Sequence, residues 1–98
     1  MENIVTETGL QAPLVHLNGT GKQGLISQIR DAVDSIDKLD GCLAKASPHG
    51  RDYYILQDNG HPNALFDAVE QAKSRRIRLQ KIKEELVEIY EAIYGQGK

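Results

Sequence analysis

The sequence lacks the features that define several common classes of protein. Its single cysteine, Cys42, excludes a disulfide framework and a cysteine-rich metal site within one chain. No apolar run approaches the roughly 20 residues of a membrane span, and the N-terminus has no basic stretch followed by an apolar run. We therefore expect a cytoplasmic protein without a signal peptide. The net charge of −2 excludes a protein that binds polyanions with its whole surface.

The composition is that of one small folded domain. The 98 residues are 40% hydrophobic and 27% charged, which is typical of a globular chain rather than a disordered one. A chain of this length buries only about 60–65% of its unfolded surface, so its core is thin. We expect a single domain over residues 1–98 that gains stability from a partner subunit.

Apolar periodicity predicts two long helices. The first covers 21–46, where apolar residues recur at alternating steps of four and three. Thr20 is a suitable N-cap for this helix, and Pro48 ends it. The second covers 62–94, with Pro62 in its first turn. The remaining segments are predicted to be irregular. They are an N-terminal arm over 1–20, with a short extended piece at 14–17, a connecting loop over 47–61, and a tail over 95–98.

These segments predict an all-α fold, an antiparallel helical hairpin of two long helices with an irregular N-terminal arm. Each helix carries apolar residues beside its main stripe, such as Val33, Val69, Val87 and Tyr90. A third layer must cover these flanks, and it is either the arm or the helices of another copy. We favour a homo-oligomer that assembles as a helical bundle.

The second helix carries a run of basic residues over 73–83. If the hairpin closes directly across its loop, Asp31 is level with Arg78 and Asp34 with Arg75. Pairing with the aspartates of the first helix is then favoured over binding of an anion, and we do not expect duplex DNA as a partner. Arg75 falls on the apolar stripe, where a charge needs a partner. Either Asp34 supplies it, or Arg75 points into an oligomer cavity that holds a carboxylate or phosphate.

Two further segments could bind an anion. The glycine-rich start of the first helix does not match a nucleotide-binding P-loop. The unpaired backbone amides of a helix N-terminus, together with Lys22, can nevertheless hold an anion. The alternative is that the glycines only make the start of this helix less rigid. The second segment is His49-Gly50-Arg51-Asp52-Tyr53-Tyr54. Here arginine can bind a phosphate, the tyrosines can stack on a base, and aspartate can accept from a base edge or ribose. The alternative is a self-packed loop whose two tyrosines close the end of the hairpin.

No residues suggest catalysis, a bound metal or a cofactor. The three histidines, His16, His49 and His61, do not have the spacing of a zinc site. Cys42 is expected to be a small buried thiol beside the helix seam. Because no nucleophile and base can be placed together, we do not expect an enzyme.

The hairpin geometry constrains where a ligand could bind. Lys22 and Arg51 lie at opposite ends of the first helix, roughly 40 Å apart. They could contact one small ligand only if a second, antiparallel copy brought its own loop alongside. A ligand site is therefore expected between protomers.

Two short motifs resemble small uncharacterised proteins of bacteriophages and prophages, and the similarity spans residues 14–94. The motifs are Val15-His16-Leu17-Asn18-Gly19-Thr20 and Pro48-His49-Gly50-Arg51-Asp52-Tyr53-Tyr54. The resemblance implies an accessory role in the cytoplasm of a bacterial host. By analogy with phage proteins that sequester nucleotide signals of host immunity, one hypothesis is a non-enzymatic protein that binds a nucleotide-like molecule at protomer interfaces. The alternative is a protein–protein interaction module, an inhibitor or assembly factor, that binds a host protein. The candidate ligand-binding residues are Lys22, His49, Arg51, Asp52, Tyr53, Tyr54, Arg75 and Arg76.

Overall fold

Two long helices pack against each other in a computed structural model that describes residues 4–16, 19 and 21–96. Helix α1 spans Lys22–Lys45, and a 3₁₀ turn at Gly50–Asp52 follows it. Helix α2 spans Tyr54–Asp58, and helix α3 spans Ala64–Tyr94 and runs antiparallel to α1. The predicted all-α hairpin is confirmed, and both long helices match their predicted bounds within two residues.

The starts of the long helices differ slightly from the sequence prediction. Gly21 precedes α1 in an extended conformation and provides no side-chain cap, while Thr20 lies outside the described residues. Helix α3 begins two residues after Pro62, with Asn63 before it and again no side-chain cap. At the other end of α1, the amide of Ala46 still donates to the Cys42 carbonyl before Pro48 ends the helical path.

The molecule is a rod with little interior. Its dimensions are 64 × 23 × 17 Å and its radius of gyration is 19.9 Å, against about 13 Å for a compact chain of this length. Only Ala12, Ile26 and Ile93 are buried among the described residues. These three come one each from the N-terminal arm, α1 and α3, so the core lies where the three segments meet.

The described part of the arm, residues 4–16 and 19, is irregular as predicted, but it folds back on itself. Val5 and Gln11 form an isolated antiparallel bridge around a turn in which Gly9 has φ of +88°. The predicted extended piece at 14–17 is not a strand where it is described, and residue 17 lies outside the described residues. The arm docks on α3, because Thr8 hydrogen-bonds to Glu88 and the Val15 amide donates to the Gln96 side chain.

The connection over 47–61 is more ordered than predicted, and it changes the register of the hairpin. Helix α2 packs against α3, so the first turns of α3 extend beyond the end of α1. Asp40 therefore lies opposite Arg76, and Arg30 opposite Tyr90. The predicted register was wrong by about two to three helical turns, because it assumed that the helices close directly across the loop.

Within residues 4–16, 19 and 21–96, no helix combines the length and apolarity that crossing a bilayer requires.

Candidate functional site

Two ion pairs join the long helices near the loop. The Arg76 guanidinium donates to both carboxylate oxygens of Asp40, at 2.9 and 3.0 Å. Lys83 Nζ donates to Asp37 at 2.7 Å. The hydrogen bond from Arg76 lowers the pKa of Asp40, and the same bond raises the pKa of Arg76. Arg76, a predicted ligand residue, therefore pairs with the other long helix in this structure, and the predicted inter-helix pairing occurs with different partners.

Arg75 does not pair with Asp34, and Asp31 does not pair with Arg78. Both expected pairs were wrong, because they depended on the register that the loop overturns. Arg75 and Arg78 are exposed, and neither has an acidic partner within the part of the chain that the structure describes. They lie beside an open groove of about 310 Å³ between the helices. The other residues that line it are Leu39, Leu43, Leu79 and Ile82.

Lys22 is anchored at the opposite end of the rod. Its ammonium donates to the Gln96 carbonyl at 2.5 Å and lies 5.3 Å from the centre of the Tyr94 ring. Tyr94 stacks on Tyr90 with 6.1 Å between ring centres. Arg30 donates to the Tyr90 hydroxyl at 3.2 Å, and this bond raises the pKa of Arg30. The lysine is thus part of a row in which two stacked tyrosine rings lie between two cations.

Sequence reasoning missed this cation–aromatic row. The signal available was the four-residue spacing of Tyr90 and Tyr94, which places them on one helix face. Their partners, Lys22 and Arg30, could be assigned only once the hairpin register was known. Tyr94 remains 63% exposed, so the row presents an aromatic surface to solvent at this end.

The loop motif keeps its polar groups on the surface. The His49 ring accepts a hydrogen bond from the Arg51 amide at 3.2 Å and so caps the 3₁₀ turn. Arg51 and Asp52 are both exposed, and the described chain shows no ion pair between them. Tyr53 is half-buried, whereas Tyr54 is 55% exposed and does not close the end of the hairpin. Arg51, Asp52 and Tyr54 are therefore accessible to a ligand.

The predicted site residues fall into three separate places. Residues 49–54 lie together on the loop, Arg75 and Arg76 lie on different sides of α3, and Lys22 lies at the far end of α1. The 24 residues of α1 separate Lys22 from the loop by about 36 Å. One chain therefore does not bring Lys22 and Arg51 to one small ligand.

Large apolar side chains are exposed over much of the rod. The described chain exposes ten of them, against the three apolar residues that it buries. A monomer normally exposes such side chains singly, whereas here they cluster around the loop and along α3. They are Val5, Leu14, Leu39, Tyr54, Ile55, Leu56, Phe66, Ile77, Ile82 and Tyr94.

The structure also shows the surroundings of the possible metal ligands and of the cysteine. Among the described residues, no three His, Cys, Asp or Glu side chains lie close enough together to hold a metal ion. Cys42 is exposed rather than buried, so the expectation of a buried thiol was wrong.

The fold and the surface define a class of molecule, an elongated two-helix hairpin that carries an N-terminal arm. Comparison of the chain with protein-family models, curated proteins and solved structures finds no match.

Proposed function

We propose that this chain is a non-enzymatic binding protein that works as a homo-oligomer of helical hairpins. In the same proposal, the oligomer sequesters a nucleotide-like anion at its protomer interfaces. This would suit a phage or prophage accessory protein that counters a nucleotide signal of host immunity. The assembly, the ligand and the biological role are separate steps, and each has its own support.

Assembly is supported by one observation above all, the ratio of exposed to buried apolar side chains. Ten large apolar side chains are exposed and three apolar residues are buried in the described chain. Burial of apolar area is the main force that stabilises a fold, at about 25 cal/mol per Å². A rod 17 Å thick has two layers of helix over most of its length, so further copies are needed to cover its apolar flanks.

Anion binding is supported by the loop. Arg51 is exposed and has no acidic partner in the described chain, so its guanidinium can donate hydrogen bonds to a phosphate or carboxylate. The exposed ring of Tyr54 can stack on a base, and Asp52 can accept a hydrogen bond from a base edge or ribose. Because Lys22 and Arg51 lie at opposite ends, a site containing both would combine two chains.

A thermal-shift screen against nucleotides and cyclic dinucleotides tests the ligand. A ligand at 100 times its dissociation constant adds about 2.7 kcal/mol of stability, which raises the melting temperature measurably. Arg51→Ala should abolish this shift without changing the melting temperature of the free protein. Lys38→Ala is the matched control, because Lys38 is an exposed cation on α1 away from the loop, and it should keep the shift.

The alternative function, a protein–protein interaction module, is favoured by a different observation. Helix α2 exposes Tyr54, Ile55 and Leu56, and Phe66 at the start of α3 is 66% exposed. Apolar side chains at one tip suit a protein partner better than a small anion. If no nucleotide shifts the melting temperature, and a defined host protein binds the wild type but not Phe66→Asp, the interaction module is the better account.

A further inference from the structure

Along one face of α3, the apolar side chains are buried near the end of the helix and become exposed towards its middle. Ile82, Ile89 and Ile93 are spaced by seven and four residues, so they lie on one stripe of α3. Ile93 is fully buried, Ile89 is half-buried and Ile82 is 49% exposed. The arm lies along α3 near its end, where Thr8 bonds to Glu88, whereas no described arm residue lines the groove around Ile82.

Charged residues flank Ile82 on the same stripe. Arg78 precedes it by four residues and Glu85 follows it by three, and both are exposed. In the described chain neither forms an ion pair, and the Arg78 guanidinium donates only to the Ser74 carbonyl of its own helix, at 3.3 Å. In sequence order, the stripe therefore carries a positive charge at Arg78, an apolar side chain at Ile82 and a negative charge at Glu85.

We infer that this groove is the interface with a second copy of the chain, and this inference rests on the assembly in the proposed function. The two α3 helices lie antiparallel about a two-fold axis at Ile82. Arg78 is about 6 Å from the axis on one side and Glu85 about 4.5 Å on the other. The two-fold therefore places Arg78 of each copy opposite Glu85 of the other, and the ion pair forms twice.

Self-complementarity identifies the occupant as a second copy. An isologous interface requires a patch that matches itself after a two-fold rotation, and the order positive, apolar, negative does so. The Ile82 side chain of each copy then enters the groove beside Leu39 and Leu79 of the other. No described residue of the chain's own arm lines this groove, because Thr8 is held by Glu88, and residues 13 and 15 are held by Gln96.

Charge reversal provides the test, with the mass of the full-length protein measured by light scattering over a range of concentrations. Arg78→Glu alone creates two Glu–Glu contacts, and Glu85→Arg alone creates two Arg–Arg contacts. Each should raise the dissociation constant about tenfold or more, whereas the double variant should bring it back close to the wild-type value. Ile82→Asp should separate the copies regardless of salt.

Lys73→Glu is the matched control for charge. It makes the same change as Arg78→Glu at an exposed residue of α3 that already pairs with Glu70 of its own helix. It should leave the mass unchanged. Circular dichroism of each variant checks that the helices are retained.

The outcomes separate this inference from the proposed function. A wild type that is monomeric at all concentrations overturns both. A wild-type oligomer whose mass is unaffected by Ile82→Asp, Arg78→Glu and Glu85→Arg overturns this interface and leaves the proposed assembly standing. If Arg78→Glu and Glu85→Arg each dissociate the oligomer but the double variant does not reassociate, the reciprocal pairing of Arg78 with Glu85 is overturned.

Discussion

The two ends of the hairpin contain the same kind of helices but differ in how completely they are covered. At the arm end, where α1 begins and α3 ends, the arm adds a third layer, and Ala12, Ile26 and Ile93 are buried together. Further along the rod towards the loop, in the groove that no described arm residue lines, Leu39 and Ile82 are each about half exposed. The comparison teaches that an amphipathic helix pair is not a core by itself. It becomes one only where another segment covers its flank.

Polar contacts follow the same division. At the arm end, the Gln96 side chain accepts from the Val15 amide and donates to the Pro13 carbonyl, and its backbone carbonyl accepts from Lys22. One residue therefore ties together the arm, α1 and α3. At the loop end, the contacts between helices are exposed ion pairs, such as Arg76 with Asp40, which contribute little to stability in water. The arm end is complete within one chain, and the loop end is not.

The largest change in stability is expected when a buried isoleucine at the arm end is truncated, and the matching truncation is made at Ile82 in the groove. Ile93→Ala should lower the free energy of unfolding by about 3 kcal/mol at every protein concentration, because it leaves a cavity within one chain. Ile82→Ala should lower stability only at concentrations where the protein is assembled. Urea unfolding followed by circular dichroism, at a high and a low concentration, measures both. Equal, concentration-independent losses for the two variants would contradict the division between the ends.

A smaller effect is expected from loosening the arm. Gln96→Ala removes the hydrogen bonds to Val15 and Pro13 and should cost about 1–2 kcal/mol in the same unfolding experiment. Limited proteolysis should then cut the arm faster than in the wild type. Gln71→Ala, at an exposed position of α3, is the control and should change stability by less than about 0.5 kcal/mol. An arm that resists proteolysis equally in both variants would show that Gln96 does not hold it.

The sequence was sufficient to predict the helices but not their register. The spacing of apolar residues determines which face of each helix is buried, and Pro48 marks where the first helix stops. Register depends on the path of residues 47–61, and their short turn and helix are set by packing on α3 rather than by periodicity. The assignments of Arg75 and Asp34, which depended on register, were therefore wrong.

The residues of the candidate site that are adjacent in sequence could be predicted, whereas contacts that depend on the register of the helices could not. The loop motif stays together because its residues are adjacent in sequence, so the exposure of Arg51 and Asp52 follows from local turn chemistry. The row formed by Lys22, Tyr94, Tyr90 and Arg30 joins residues that are distant in sequence. Such a contact could not be assigned before the helices were aligned.

The smallest expected effect concerns the ion pair at the loop end. Asp40→Asn should lower the melting temperature at pH 7 by no more than about 3 °C, because the pair with Arg76 is exposed. The pKa of Asp40 is lowered in the folded state, so the stability that it contributes is present above the unfolded pKa of about 3.9. That contribution is lost as the pH falls through the lower folded pKa.

Melting curves of the wild type and Asp40→Asn between pH 7 and pH 2 measure this contribution. The difference between the two proteins should shrink toward zero at the acid end. Asp34→Asn, which removes a carboxylate without an ion pair in the described chain, should show no comparable difference at pH 7. A difference that grows on acidification would contradict the assigned pairing.

Amide hydrogen exchange at two protein concentrations, above and below the dissociation constant found by light scattering, tests the central claim most directly. The claim is that one chain completes the arm end, while a second copy covers the groove around Ile82. On dilution, exchange over residues 39–43 and 75–89, which lie at the proposed interface on both sides of the two-fold axis at Ile82, should accelerate about tenfold or more, while exchange over 23–30 stays unchanged. Equal exchange at both concentrations throughout the chain, or acceleration confined to the arm end, would contradict it.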